Sequence, residues 1–130
     1  MSNVKLLTRL AEEYLESEYN SLSIKREFGT FLNARADVFG ISQEHIVYIE
    51  VKSDRDTLTR LENQLNTFMP NSTATYVVLD ECHYESYKKK YLSDTQWKYS
   101  HVGILIYYKE KEKLVLEKPI KHYNKYPSVY

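Results

Sequence analysis

One cysteine, three glycines and three prolines among 130 residues leave this chain few ways to be stapled or sharply broken. A single thiol, Cys82, excludes an intramolecular disulfide and cannot build a zinc site alone, so a reducing, cytoplasmic setting is expected. There is no run of about 18 apolar residues and no apolar signal region at the N-terminus, which predicts no membrane partner. Scarce glycine and proline disfavour long irregular connections and point to strands and helices joined by short loops.

What is present is ordinary for a globular protein: 42% hydrophobic and 28% charged residues, with thirteen tyrosines as the one excess. The length suits a single domain over residues 1–130, with a core over about 24–118 and a surface tail over 119–130. The net charge of zero conceals an asymmetry. Residues 1–81 carry 8 Lys/Arg against 13 Asp/Glu, a balance of −5, while residues 82–130 carry 10 Lys against 5 Asp/Glu, a balance of +5. An acidic portion able to hold a cation beside a basic portion able to hold phosphate fits a nucleic-acid enzyme. Two solvated faces account for the same imbalance.

Leu6, Leu10 and Tyr14 recur at helical spacing, which predicts an amphipathic helix over 3–19. The segment Ile24–Phe31 reads either as a short strand or as an extended approach. Strands follow at about Arg35–Ile41 and His45–Lys52. The N-cap types Ser53, Asp54 and Asp56 then announce a helix lined by Leu58, Leu61, Leu65 and Phe68 and stopped by Pro70. Ala74–Asp80 is a β-branched run of the kind buried on both faces of a parallel sheet. A short basic helix over about His83–Leu92 and two further strands, Val102–Lys109 and Lys113–Glu117, complete the chain. Strands flanked by helices predict an α/β fold, a mixed sheet of four to five strands with helices on both sides.

The chemistry concentrates in Arg35-Ala36-Asp37-Val38 and Ile49-Glu50-Val51-Lys52. Strand residues alternate sides, so Glu50 and Lys52 share one face, and a hairpin turn near Ser42-Gln43-Glu44 brings Asp37 opposite the Ile49–Glu50 region. Two carboxylates and an ammonium in one patch suit Mg²⁺, which takes one or two carboxylates and keeps several waters. Asp37 and Glu50 read equally as strand-edge residues paired with Arg35 or Lys52.

The arrangement Asp37 … Glu50-Val51-Lys52 resembles the active-site motif of the PD-(D/E)XK nuclease superfamily, the restriction-endonuclease-like fold. The continuation Ser53-Asp54-Arg55-Asp56-Thr57-Leu58-Thr59-Arg60-Leu61, with Gln64, resembles a small group of bacterial and phage proteins within it, of pattern R-A-D-V … E-I-K-S-D-x-D-T-L-x-R-L-x-x-Q. The likeness covers about residues 25–110. It implies a restriction-endonuclease-like sheet and a metal-dependent nuclease that hydrolyses DNA phosphodiester bonds, with RNA left as an alternative substrate, in a bacterial cell and encoded by the bacterium or a phage. By that likeness Asp37 and Glu50 would be ligands of Mg²⁺ or Mn²⁺, Glu27 a further acid, Lys52 the residue that orients the attacking water, and Gln64 a neighbour of the site. Ala36 stands where the superfamily name has proline, and Phe68 where some branches carry tyrosine.

Arg35, Arg55, Arg60, Lys88, Lys89 and Lys90 are the candidate phosphate contacts. Helix-surface pairing of Arg60 with its neighbours and a solvated face for the lysine run are the plainer explanations. With no separate recognition domain, specific cleavage would need a homodimer or a partner protein. The alternative is a non-catalytic binding protein on the same fold, a phage-encoded inhibitor or a DNA-binding accessory subunit.

Overall fold

The computed structural model describes residues 2–29, 35–89 and 99–127, with the backbone alone at 27–29 and 35. In chain order the elements are α1 (Val4–Glu18), β1 (Ser23–Gly29), β2 (Arg35–Ile41), β3 (Ile46–Lys52), α2 (Leu61–Phe68), β4 (Ala74–Asp80), α3 (Tyr84–Tyr87), β5 (Val102–Tyr108) and β6 (Lys113–Lys118). Single 3₁₀ turns, Met69–Asn71 and Glu81–His83, precede β4 and α3. The strands form one mixed sheet in sequential order, β1-β2-β3-β4-β5-β6. Neighbours are antiparallel from β1 to β3 and from β5 to β6, and parallel from β3 to β5. The α/β class stands, but the sheet has six strands rather than four to five. Ser23–Gly29 pairs as an edge strand against β2, where its mixed Ser-Ile-Lys-Arg-Glu-Phe-Gly sequence hides the signal, since only one face of an edge strand need be apolar.

Two clusters hold the layers together. Leu7, Ala11 and Leu15, spaced by four along α1, are fully buried against Val38, Ile49, Val51, Tyr76, Val78 and Leu105. Helix α1 is thus part of the core, although it lies outside the 24–118 stretch expected to carry it. On the opposite face Leu61 and Leu65 of α2 pack with Val77, Leu79, Ile104 and Ile106. Every residue of β4 is buried, as a strand between two helical layers requires. The helix that Ser53, Asp54 and Asp56 announce begins only at Leu61, because those side chains are used elsewhere, as described below.

The segment after β6 is tied to the body rather than free. Lys121 and His122 donate their amide N–H groups to the Ser100 carbonyl, and Asn124 donates its own to the Thr73 carbonyl. Lys118 is buried, its Nζ donating to the carbonyls of Tyr99 (2.7 Å) and Val102 (2.6 Å).

Gly103 marks a close approach across the β4–β5 pair. A Cβ built there would lie 2.6 Å from both Cδ1 and Cε1 of Tyr76. That ring cannot swing aside cheaply, since Tyr76 is buried and its hydroxyl is hydrogen-bonded to that of Tyr19 at 2.7 Å. Gly103→Ala is therefore expected to destabilise the protein by about 1–3 kcal/mol in urea unfolding, against the usual small gain from replacing a strand glycine. A neutral result would mean that the Tyr76 ring yields.

Candidate functional site

The β2–β3 ladder runs from Ile41↔Ile46 up to Val38↔Ile49 and stops there. Beyond that pair the strands part, and the Asp37 carboxylate bridges the gap, its Oδ2 accepting the Val51 N–H at 2.8 Å. Alternation along β3 sends Ile49 and Val51 to the α1 face and Glu50 and Lys52 to the α2 face. Glu50 is only 4% exposed and Lys52 6%, and Lys52 Nζ lies 3.4 Å from Glu50 Oε2. The three side chains named from the sequence are thus brought together where the sheet opens.

Gln64 joins them through the direction of α2. Phe68 packs edge-on to Tyr48 with ring centroids 5.1 Å apart. Gln64 lies one turn before Phe68, about 6 Å along the helix, and Glu50 two residues past Tyr48, about 7 Å along the strand. The helix returns antiparallel to β3 to reach the parallel strand β4, so both displacements point the same way and Gln64 comes over Glu50. Two buried side-chain oxygens lack a hydrogen-bond partner among the described residues, and they are Glu50 Oε1 and Gln64 Oε1. Buried acceptors without partners are rare in native proteins and mark a missing ligand, water or proton.

The electrostatics agree. Burial, then the adjacent Asp37 charge, pushes the Glu50 carboxyl up to about 8, with Lys52 pulling the other way. Burial also raises Asp37, against the Val51 N–H, the Glu50 carboxyl and Lys52, which lower it. With both acids ionised, two negative charges face one ammonium, and the surplus is relieved either by a proton on Glu50 or by a cation. The donor set fits a hard divalent ion: two carboxylates and an amide oxygen, with room in its coordination shell left to water. Among the described residues no group of three or more His, Cys, Asp or Glu is gathered closely enough to hold a metal. The third acid expected, Glu27, has its backbone opposite Asp37, between the pairs Arg26↔Val38 and Phe28↔Ala36, while its side chain lies outside the described residues.

The candidate phosphate contacts are scattered. Arg55 and Arg60 are exposed in the loop after β3. Lys88 follows α3, with Nζ 6.0 Å over the Tyr84 ring, and Lys89 is exposed beside it. Lys90 and the Arg35 side chain lie outside the described residues, as do residues 90–92 at the end of the basic helix expected over His83–Leu92, of which α3 covers Tyr84–Tyr87. Cys82 is exposed.

Sequence reasoning misses the polar knot that closes this end of the sheet. Ser53, next to Lys52 and 1% exposed, donates its N–H (2.8 Å) and hydroxyl (2.9 Å) to Asp56 Oδ2. Its carbonyl accepts from His83 Nε2 at 2.7 Å. Asn3 and Asp54 exchange backbone-to-side-chain bonds at 3.1 Å each, and Asn3 Nδ2 donates to Asp80 Oδ1 at 2.8 Å. Asp56 is thus a loop clamp instead of a helix cap. Removing it in Asp56→Ala strands two donors beside the site, and a loss of about 1–3 kcal/mol in urea unfolding is expected, with Asp56→Asn recovering part. No loss would mean that the Ser53 loop is held by its other bonds alone.

No helix among the described residues is long and apolar enough to cross a membrane. No curated protein and no solved structure matches the chain. A family model does, that of Bacteriophage P4 protein cII, over residues 4–125, from the first turn of α1 to the segment strapped across Thr73. A match of that extent spans every element of the fold, and the chain belongs to the Bacteriophage P4 protein cII family.

Proposed function

We propose that this protein is a divalent-metal-dependent nuclease of the PD-(D/E)XK type that hydrolyses DNA phosphodiester bonds in a bacterial cell. The observation that carries the reading is the meeting of Asp37, Glu50 and Lys52 at the point where β2 and β3 part, with a buried oxygen lacking a partner among the described residues on Glu50 and another on Gln64 of α2. The helix, three-strand meander, helix and parallel strand from α1 to β4 follow the element order that the motif resemblance implies.

Asp37 and Glu50 would hold Mg²⁺ or Mn²⁺, with Gln64 Oε1 beside them. Such a cation supplies polarisation of the scissile phosphate and acidification of a bound water. Lys52, 3.4 Å from Glu50, would orient the attacking water as the resemblance implies, and its charge would offset the negative charge gathered around the cation. Gln64 Oε1 would accept a hydrogen bond from the attacking water and so help to orient it. The loop clamp at Ser53 keeps Lys52 from turning away. Cleavage of single-stranded, double-stranded and branched DNA with Mg²⁺ or Mn²⁺, wild type against Asp37→Asn and Lys52→Met, tests the reading. Activity that survives both substitutions overturns it.

A further inference from the structure

The sheet plane has two sides at Asp37, and they differ. Toward α2 the site is closed: Glu50 and Lys52 are buried, and Leu61 and Leu65 fill the layer beyond. Toward α1 the gap between β2 and β3 opens into a cleft of about 200 Å³ lined by Val4, Lys5, Thr8, Arg26 and Asp37. Asp37 is the one member of the candidate site on that cleft, because its carboxylate sits between the strands rather than on one face.

The lining has a definite chemistry. Lys5 and Arg26 are exposed, and Asp37 is the single acid among the five lining residues. Arg26 is oriented by Glu12, which takes its Nε at 2.8 Å and one Nη at 2.7 Å, leaving the other guanidinium N–H groups for a further acceptor. Thr8 Oγ1 is anchored on the Val4 carbonyl at 2.7 Å and keeps its lone pairs and position at the wall. At about 30 Å³ per water such a cleft takes a handful of waters, which is room for one phosphodiester group and too little for a base pair. Glu50, whose buried Oε1 has no hydrogen-bond partner among the described residues, is close enough to Asp37 to feel its charge.

We propose that this cleft is where a nucleic-acid strand delivers one backbone phosphate to Asp37, with Lys5 and Arg26 as its cationic contacts, so that the strand runs along α1 rather than along the Lys88–Lys89 segment. The inference rests on the nuclease reading. Its ligand is the sugar–phosphate backbone, read without regard to base sequence. Asp37 repels a phosphate on its own, so the contact is strongest when a divalent cation is present.

The test is fluorescence anisotropy of a labelled DNA oligonucleotide in Ca²⁺, at several salt concentrations, for wild type, Lys5→Glu, Arg26→Gln and Lys88→Glu. Neither Lys5 nor Lys88 is a core residue, and circular dichroism checks the fold of Arg26→Gln, which loses its bond to Glu12. Lys5→Glu and Arg26→Gln should each weaken binding about tenfold and each make log affinity fall less steeply with log salt, while Lys88→Glu changes affinity less than about twofold, as a residue outside the track should. An unchanged slope in Lys5→Glu, an equal loss in Lys88→Glu, or no oligonucleotide binding by wild type would each overturn the proposal. Cleavage measured on the same variants separates the two readings. Lys5-dependent binding with no cleavage leaves the cleft standing and removes the nuclease. Cleavage indifferent to Lys5 and Arg26 does the reverse.

Discussion

Asp37→Asn is expected to lower metal-dependent cleavage of DNA by at least about a thousandfold while the protein stays folded, the size of loss that follows when several kcal/mol of transition-state charge stabilisation is withdrawn. The asparagine carbonyl can still accept the Val51 N–H, so the bridge across the parted strands survives. What is lost is one of two carboxylates, and with it the charge that holds the cation. Lys52→Met should cost a comparable factor, but its structural consequence is different. The side chain is 6% exposed and lies against Glu50, so its removal leaves two acids facing each other inside the protein, and some stability is lost unless Glu50 keeps its proton. Circular dichroism and unfolding curves must therefore accompany the rates. If wild type shows no cleavage but Mn²⁺ raises its melting temperature in a Glu50-dependent way, the site is a cation-binding one without catalysis, and the non-catalytic reading replaces the nuclease.

Glu50→Gln should make the metal-free protein more stable at pH 8 and at the same time abolish its response to Mg²⁺ or Mn²⁺. The Glu50 carboxyl is pushed up to about 8 in the folded state, mainly by burial and then by Asp37. Between its unfolded value and about 8 the native state binds the extra proton, so stability is greatest at the acid end and falls as pH rises through that window. At about 1.4 kcal/mol per pKa unit, and with the proton shared electrostatically with Asp37, glutamine should recover about 2–3 kcal/mol at pH 8, or roughly 5–10 °C in Tm. Lys118 acts on the other limb. Burial, followed by the charge of Lys121, pushes it down to about 8, so its unfavourable contribution fades as pH rises above that value. Together they predict a shallow stability minimum near pH 8 in the metal-free protein, which thermal unfolding across pH 5–10 would reveal. A divalent cation should fill in the acid limb of that minimum in wild type and leave Glu50→Gln unmoved. A wild-type Tm independent of both pH and cation would show that Glu50 is neither strained nor a ligand.

The parts of the fold legible in the sequence are those with strong local pattern. The spacing of Leu6, Leu10 and Tyr14 reveals α1, although the face it buries fully is Leu7, Ala11 and Leu15; Ala74–Asp80 is a β-branched run, and alternation assigns Glu50 and Lys52 to one face of their strand. The start of α2 is not legible. Ser53, Asp54 and Asp56 have the composition of a helix cap, yet their bonds go to one another, to Asn3 and to His83. Asn3 and Asp80 are 77 positions apart, and nothing in either neighbourhood announces the other. The basic run at Lys88–Lys90 draws attention by its charge, whereas Lys5 and Arg26, far apart in sequence, line the cleft that opens onto Asp37.

The amino-acid order by itself determined which residues could meet at a cation: two acids and a lysine on neighbouring strands, with a glutamine on the helix that follows. Local periodicity and a short turn suffice for that, because each depends on residues only a few positions apart. Only the tertiary structure decided that the strands part at Val38 and Ile49 and that Asp37 fills the gap. It also decided that burial pushes the Glu50 carboxyl up to about 8. Burial and access depend on what α1 and α2 cover, and those helices reach the site from either side of the sheet.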